Sequence, residues 1–302
     1  MDKGTSVLAR LKNKAKEPGR PFQLHLQLFC QEEFLRRLAA SKYAQNLVLK
    51  GGLFIYTLTN FESRATVDVD FLLRQLPGTV EDVKRIVDEI IAVDSGNDFI
   101  TFTSRGFETI SSQRKYKGVS FQLVGHIKNT RTPFDVDFGI GDVIVPTSQK
   151  RTIPVQLDDF SQPEILTYSL ESTVAEKLDA LIQRMALTSR MKDIYDIYYI
   201  SKMFDFEGRA LQQAIYETLQ NRGTDYDKGS FNRVIALAED SNIQVRWRQY
   251  LRRMKMPEMN LSEIMTAIDQ FLRPVWIAIL SEKEFAQQWS QKDANWSQNK
   301  II

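Results

Sequence analysis

The sequence predicts an α+β chain in two parts, a mixed core of strands and helices followed by a helical half. Two observations carry that prediction. Short segments with a period of two, Val67-Asp68-Val69-Asp70-Phe71 and Phe134-Asp135-Val136-Asp137-Phe138, read as strands in the first half. Beyond about residue 161 the apolar residues recur instead at helical spacing, in the sets Val174/Leu178/Leu181/Met185, Ile194/Ile197/Ile200 and Leu211/Ile215/Leu219. The composition shift from Pro154 to Pro163 is the natural boundary, which divides the chain into domains of 1–160 and 161–302.

In chain order, Leu24, Leu28, Leu35 and Leu38 predict an amphipathic helix over 22–41. Leu47-Val48-Leu49 is a short buried strand that runs into Gly51-Gly52, and a short helix is expected from Leu53 to Leu58. The first acidic strand follows. After Pro77-Gly78, Thr79 and Asp82 form a capping-box pattern, and Val80, Val83, Ile86, Val87, Ile90 and Ile91 supply the core stripe of that helix. Phe99–Thr103 and Val119–Val124 alternate as two more strands before the second acidic one.

Hydrophobic residues make up 43% of the 302 and charged residues 26%, the balance of an ordinary soluble protein. No apolar run approaches the roughly 20 residues that span a bilayer. The start, Met1-Asp2-Lys3-Gly4-Thr5, has no secretory pattern, so the expected location is the cytoplasm. One cysteine, Cys30, forms no internal disulfide, and with His25 and His126 as the two histidines there is no zinc constellation. A net charge of +2 does not by itself establish nucleic-acid binding.

Side chains alternate across a strand, so Asp68 and Asp70 point one way while Val67, Val69 and Phe71 point the other. Two carboxylates held about 7 Å apart repel, and a hard divalent cation with oxygen ligands relieves them. Magnesium is the expected ion, with manganese as the alternative. Lys50-Gly51-Gly52 lets backbone amides approach a phosphate, and the next helix would present its N-terminus to the same anion. Arg64 is long enough to reach a triphosphate, and Thr66 shares the acidic face if the strand extends back to it. Asp135 and Asp137 offer a third carboxylate, and spacing does not choose between them.

A lone D-x-D is most often a solvated strand face, and a lone Gly-Gly a turn. Carboxylates repeated on two apolar strands leave too many like charges uncompensated for that reading. In the helical half, Lys177 and the segment Arg190-Met191-Lys192-Asp193-Ile194-Tyr195-Asp196 read from spacing as surface ion pairs. The run Arg246, Arg248, Arg252, Arg253, Lys255 contains no acid and reads first as a solvated helix face, with an RNA-backbone stripe as the alternative. His25 reads as a helix residue and Cys30 as a small core residue.

Together, Val7-Leu8-Ala9-Arg10-Leu11, Ala15-Lys16, Glu33–Leu38, Ser41-Lys42-Tyr43, Leu49–Gly52, Arg64–Asp70, Asp137–Asp142, Ala175–Ala180 and Ser189–Asp196 resemble the AbiEii/AbiGii family of nucleotidyltransferase toxins. The resemblance implies a DNA polymerase β-like nucleotidyltransferase core whose helical domain completes the active-site cleft. It also implies a toxin of a toxin–antitoxin and phage-defence system, of the abortive-infection kind, that transfers nucleotides from an NTP to RNA, first of all the tRNA 3′ end. A cognate antitoxin is the implied protein partner. By the resemblance, Asp68, Asp70 and Asp137 hold metal, and Asp137 is preferred over Asp135. The resemblance also moves Lys177 and Asp193 from the surface ion pairs that spacing suggests into the catalytic set, and Lys50, Gly51, Gly52, Arg64, Thr66, Arg190 and Lys192 bind nucleotide. A nucleotidyltransferase for a small-molecule hydroxyl, and a non-catalytic nucleotide-binding module, are the competing readings.

Overall fold

The computed structural model describes residues 2–16, 20–110, 118–184 and 190–298; Met185 and Ser189 lie outside them. The chain forms two compact units, Met1–Gly141 with Ser148–Tyr168, and Asp142–Thr147 with Ser169–Ile302.

The first unit is a mixed sheet with helices. Its elements are α1 (Lys3–Lys14), α2 (Phe22–Ala40), β1 (Leu47–Lys50), α3 (Gly51–Leu58), β2 (Asp68–Leu73), α4 (Val80–Ile91), β3 (Ile100–Ile110), β4 (Gly118–Ile127), β5 (Thr130–Ile140), β6 (Gln149–Thr152) and β7 (Glu164–Thr167). The strand order is β3-β4-β5-β2-β1-β7-β6, with β2 parallel to β5, β1 parallel to β7, and the other pairs antiparallel. The expected Thr79 cap is present: its Oγ1 accepts from Asp82 N–H at 3.1 Å and donates to Asp82 Oδ2 at 2.7 Å.

One face of the central strands is apolar, as the alternation requires. Val69, Phe71, Val136 and Phe138 are fully buried, and Phe34 of α2 lies 6.1 Å from Phe71 and 6.5 Å from Phe134, ring to ring. Burying a side chain of this size is worth about 1.5–3 kcal/mol. The acidic residues consequently face away from α2.

Helix α2 differs from the amphipathic expectation, because every residue from His25 to Leu38 is buried. Its charges are satisfied in part inside the fold: Glu32 Oε2 and both Nη atoms of Arg36 are buried without a hydrogen-bond partner. Glu33 accepts from Arg36 at 2.9 Å and Arg37 at 3.1 Å, and Arg37 also donates to the carbonyl of Ile100 at 2.8 Å. His25 is a buried helix residue whose Nδ1 lies 2.6 Å from Gln156 Oε1, and Cys30 is a buried core thiol.

The second unit holds α5 (Leu170–Arg184), α6 (Met191–Met203), β8 (Phe206–Glu207), α7 (Gly208–Asn221), α8 (Ser230–Ile235), α9 (Ser241–Arg253), α10 (Leu261–Leu280), β9 (Gln287–Ser290) and β10 (Asn295–Gln298). It is helical as expected, with a small antiparallel sheet of order β10-β9-β8 that helical periodicity did not reveal. These strands are too short to show a period, and indole hydrogen bonds tie them down. Trp289 Nε1 donates to Ser201 O at 2.7 Å and Trp296 Nε1 to Phe271 O at 2.8 Å. Among the described residues no helix is long and apolar enough to cross a membrane.

Candidate active site

Strands β1 and β2 pair with Lys50 opposite Asp70, so the turn out of β1 begins beside that carboxylate. Gly51 has φ +70°, a conformation that side chains disfavour. A Cβ there would stand 2.1 Å from Asp70 Oδ2, and one at Gly52 would stand 2.8 Å from Thr66 Oγ1 and 3.3 Å from Arg64 Nη2. The absence of both side chains therefore lets Asp70, Thr66 and Arg64 gather around the start of α3. That end of the helix carries backbone N–H groups without intrahelical partners. The Lys50 ammonium lies 5.4 Å from the centre of the Tyr168 ring.

Thr66 reaches this place by a route the strand pattern did not anticipate. Strand β2 begins only at Asp68, and the preceding loop carries Thr66 to Gly52. Val67 is likewise outside the strand and 51% exposed, not on the apolar face. Its carbonyl accepts from Nε2 of both Gln27 and Gln31 at 2.9 Å, which pins the backbone to α2 and turns the side chain outward.

Register brings the carboxylates together. In the parallel β2/β5 pair, Asp68 is opposite Asp135 and Asp70 opposite Asp137. Neighbouring strands are about 4.8 Å apart. Asp137 is pushed up to about 6: burial is the largest cause, a hydrogen bond with Ser120 opposes it, and the charges of Asp70, Asp68 and Asp135 add to it. Its Oδ1 is buried without a hydrogen-bond partner. Asp135 has Gln122 Nε2 at 3.4 Å from its Oδ1. The two candidates for third carboxylate thus sit in different surroundings.

An orphaned buried carboxylate oxygen flanked by further carboxylates suits a hard divalent cation. The fit lies in donor chemistry and strand register: among the described residues no three or more His, Cys, Asp or Glu converge as a finished ligand group.

In the second unit, Lys177 of α5 donates to Asp193 Oδ1 at 3.2 Å and to Asp196 Oδ2 at 2.5 Å, both on α6. Asp193 Oδ2 also accepts from Arg190 Nε. Spacing alone placed these charges on the surface. Instead Asp193 and Asp196 are buried, Asp196 takes Lys177, and Lys192 remains exposed. Helix–helix packing of α5 on α6 encloses the pair, which a pattern within one helix cannot reveal.

Two members of these buried charge clusters lay outside the expected site set. Asp196 is the nearer partner of Lys177, and its place one turn after Asp193 was the available signal. Arg222 was not singled out at all. It pairs with Asp142 at 2.9 Å, Glu176 at 3.1 Å and Asp179 at 3.0 Å, joining acids from two of the motif segments. No spacing in the sequence links these positions.

A mixed sheet that closes a glycine turn against an acidic strand, with a second acidic strand in parallel register beside it, is the frame of a nucleotidyltransferase. Within that class the chain belongs to the family described as nucleotidyl transferase AbiEii toxin, type IV toxin–antitoxin system, whose model matches residues 33–274. The fold is similar to that of MenT4, a nucleotidyltransferase toxin from Mycobacterium tuberculosis H37Rv, with a TM-score of 0.53, 17% identity, and 92% of this chain and 99% of that chain covered. At that identity the likeness concerns fold alone. JHP933 from Helicobacter pylori matches at 11% identity and a TM-score of 0.46, over 83% of this chain and 91% of that one, and carries no argument. No curated protein matches the sequence.

Proposed function

We propose that this toxin transfers a nucleotide from an NTP to a hydroxyl of RNA, the tRNA 3′ end foremost, in a magnesium-dependent reaction. Its setting is the cytoplasm, its counterpart a cognate antitoxin, and its use defence against phage. The observation that carries the chemistry is the buried, partnerless Oδ1 of Asp137 beside Asp70, at a turn where Gly51 admits no side chain. Family membership supports the transferase class and the antitoxin counterpart.

Asp68, Asp70 and Asp137 would hold the metal, which supplies positive charge to the phosphates when bound. Asp137 also orients the attacking hydroxyl or takes its proton. The amides of Gly51 and Gly52 approach the triphosphate, while Lys50, Arg64 and Thr66 hold its oxygens. Lys177, Arg190 and Lys192 offset phosphate charge. Asp193 positions the first two of these, a role its hydrogen bonds to both support.

The test is incubation of the purified protein with labelled nucleoside triphosphates and total tRNA, beside Asp70→Ala. Label should enter the RNA with the wild type and be lost with the variant. Transfer that survives the substitution would overturn the carboxylate assignment. Label that enters a small hydroxylated acceptor and never RNA would overturn the acceptor.

A further inference from the structure

Helix α9 buries Ile243, Trp247, Tyr250 and Leu251. Every cation of the run from Arg246 to Lys255 is exposed. At about 100° per residue, Arg246 and Arg253 lie along one flank of the solvent face and Arg248 and Arg252 along the other. Lys255 continues the surface past the helix end. Some exposed cations elsewhere have acidic partners, as in Lys84–Asp88, Lys150–Glu164, Arg209–Glu284 and Arg233–Asp227, whereas others, such as Lys192 and Lys202, stand singly among the described residues; the run on α9 gathers its cations on one helix. Among the described residues Arg248, Arg252, Arg253 and Lys255 make no ion pair.

Helix stability does not account for this arrangement. The helix dipole favours cations in the last turn, which covers Arg252 and Arg253 but not Arg246 or Arg248. Like charges four apart, Arg248 and Arg252, cost a few tenths of a kcal/mol. A bound polyanion reverses that sign.

We propose that the solvent face of α9 binds the phosphodiester backbone of RNA; the inference rests on the RNA-acceptor reading above. The chemistry favours a nucleic acid over an acidic protein. Protein interfaces are anchored by aromatic side chains at their centre, and Trp247 and Tyr250 of this helix face inward. Phosphates need no such anchor, and four of the five cations are arginines, whose planar forks match phosphate oxygens. The place fits as well. Tyr250 of α9 lies 6.3 Å from Tyr195 of α6, ring to ring, so the cationic helix packs directly on the helix that carries Lys192, Asp193 and Asp196.

The experiment uses the full chain and a triple variant, Arg252→Gln with Arg253→Gln and Lys255→Gln, all exposed changes to a residue that tolerates helices. Binding of fluorescently labelled total tRNA is followed by anisotropy across a salt series, with calorimetric NTP binding as the internal control. The expected result is affinity lower by about ten-fold or more and a log–log salt slope shallower by about 2–3, since each lost phosphate contact removes about 0.7–0.9. NTP binding should not change. A variant with unaltered tRNA affinity and slope would overturn the proposal for α9 while leaving the RNA acceptor standing. Wild-type protein that binds NTP but not tRNA would overturn the acceptor reading itself. Loss of polyglutamate binding in the variant with tRNA binding intact would assign the face to an acidic protein and overturn the inference.

Discussion

Replacing Gly51 with alanine should do two separable kinds of damage. The first is backbone strain: at φ +70° an L residue costs about 1–2 kcal/mol. The second is a collision, because the new Cβ would stand 2.1 Å from Asp70 Oδ2, and relieving such overpacking costs about 1–3 kcal/mol more. Gly96 supplies the control, with φ +75° and nothing within 4 Å of its Cβ position. Gly96→Ala therefore measures strain alone, and Gly51→Ala should exceed it by about 1–3 kcal/mol. In an Asp70→Ala background the carboxylate is gone and the nearest remaining atom is the residue-70 Cβ at 3.0 Å, so most of the excess should vanish. Urea unfolding should be followed by far-ultraviolet circular dichroism. Trp247, Trp276, Trp289 and Trp296 all lie in the second unit, and their fluorescence would not report on this turn. Transfer activity of Gly51→Ala should fall about 100-fold, the usual effect of a displacement near 1 Å. Equal costs at Gly51 and Gly96, or an excess that persists without the Asp70 carboxylate, would refute the claim that the glycine exists to admit Asp70.

Burial pushes the Glu32 carboxyl up to about 8 despite the charge of Arg36, so the folded state holds its proton more tightly than the unfolded one. That cost is absent below the unfolded value near 4.5 and grows as pH rises towards 8. Glu32→Gln should accordingly gain on the wild type by about a few kcal/mol across that window, and a pH-independent gap in melting temperature would contradict it. Lys177→Met removes a buried cation from between Asp193 and Asp196 and should cost about 3–5 kcal/mol; a neutral effect in urea unfolding would show that the pair is not closed in solution. Asp196→Asn should cost less, since Asp193 remains 3.2 Å from the ammonium. Phe71→Ala empties the contact between the acidic strand and α2 and should destabilise by about 3–5 kcal/mol in the same assay.

Much of the first unit was legible because its signals are local. A period of two sorts Val69 and Phe71 from Asp68 and Asp70 wherever the strand lies in the sheet, and the Thr79 cap depends on residues three apart. The fold departs from these local patterns where the deciding contact is distant in sequence. Val67 continues the alternation yet sits outside the strand, because two glutamines of α2 hold its carbonyl. The leucines of α2 suggested one buried stripe, whereas neighbours on all sides bury the helix from His25 to Leu38, with the Glu33 ion pairs inside. The strands β8, β9 and β10 are too short to carry a period.

By itself the sequence determined which residue types could meet a phosphate and a hard cation: a glycine pair, carboxylates on one strand face, and cations in the helical half. Those follow from backbone permissiveness and side-chain alternation, which are properties of neighbours along the chain. Tertiary structure alone decided that Asp70 lies against Gly51 and beside Asp137, that Asp137 keeps a buried partnerless oxygen, and that Asp196 takes Lys177. Strand register and helix packing set these relations. The groups they join are far apart in the sequence, and burial made their charges matter only once the chain had closed over them.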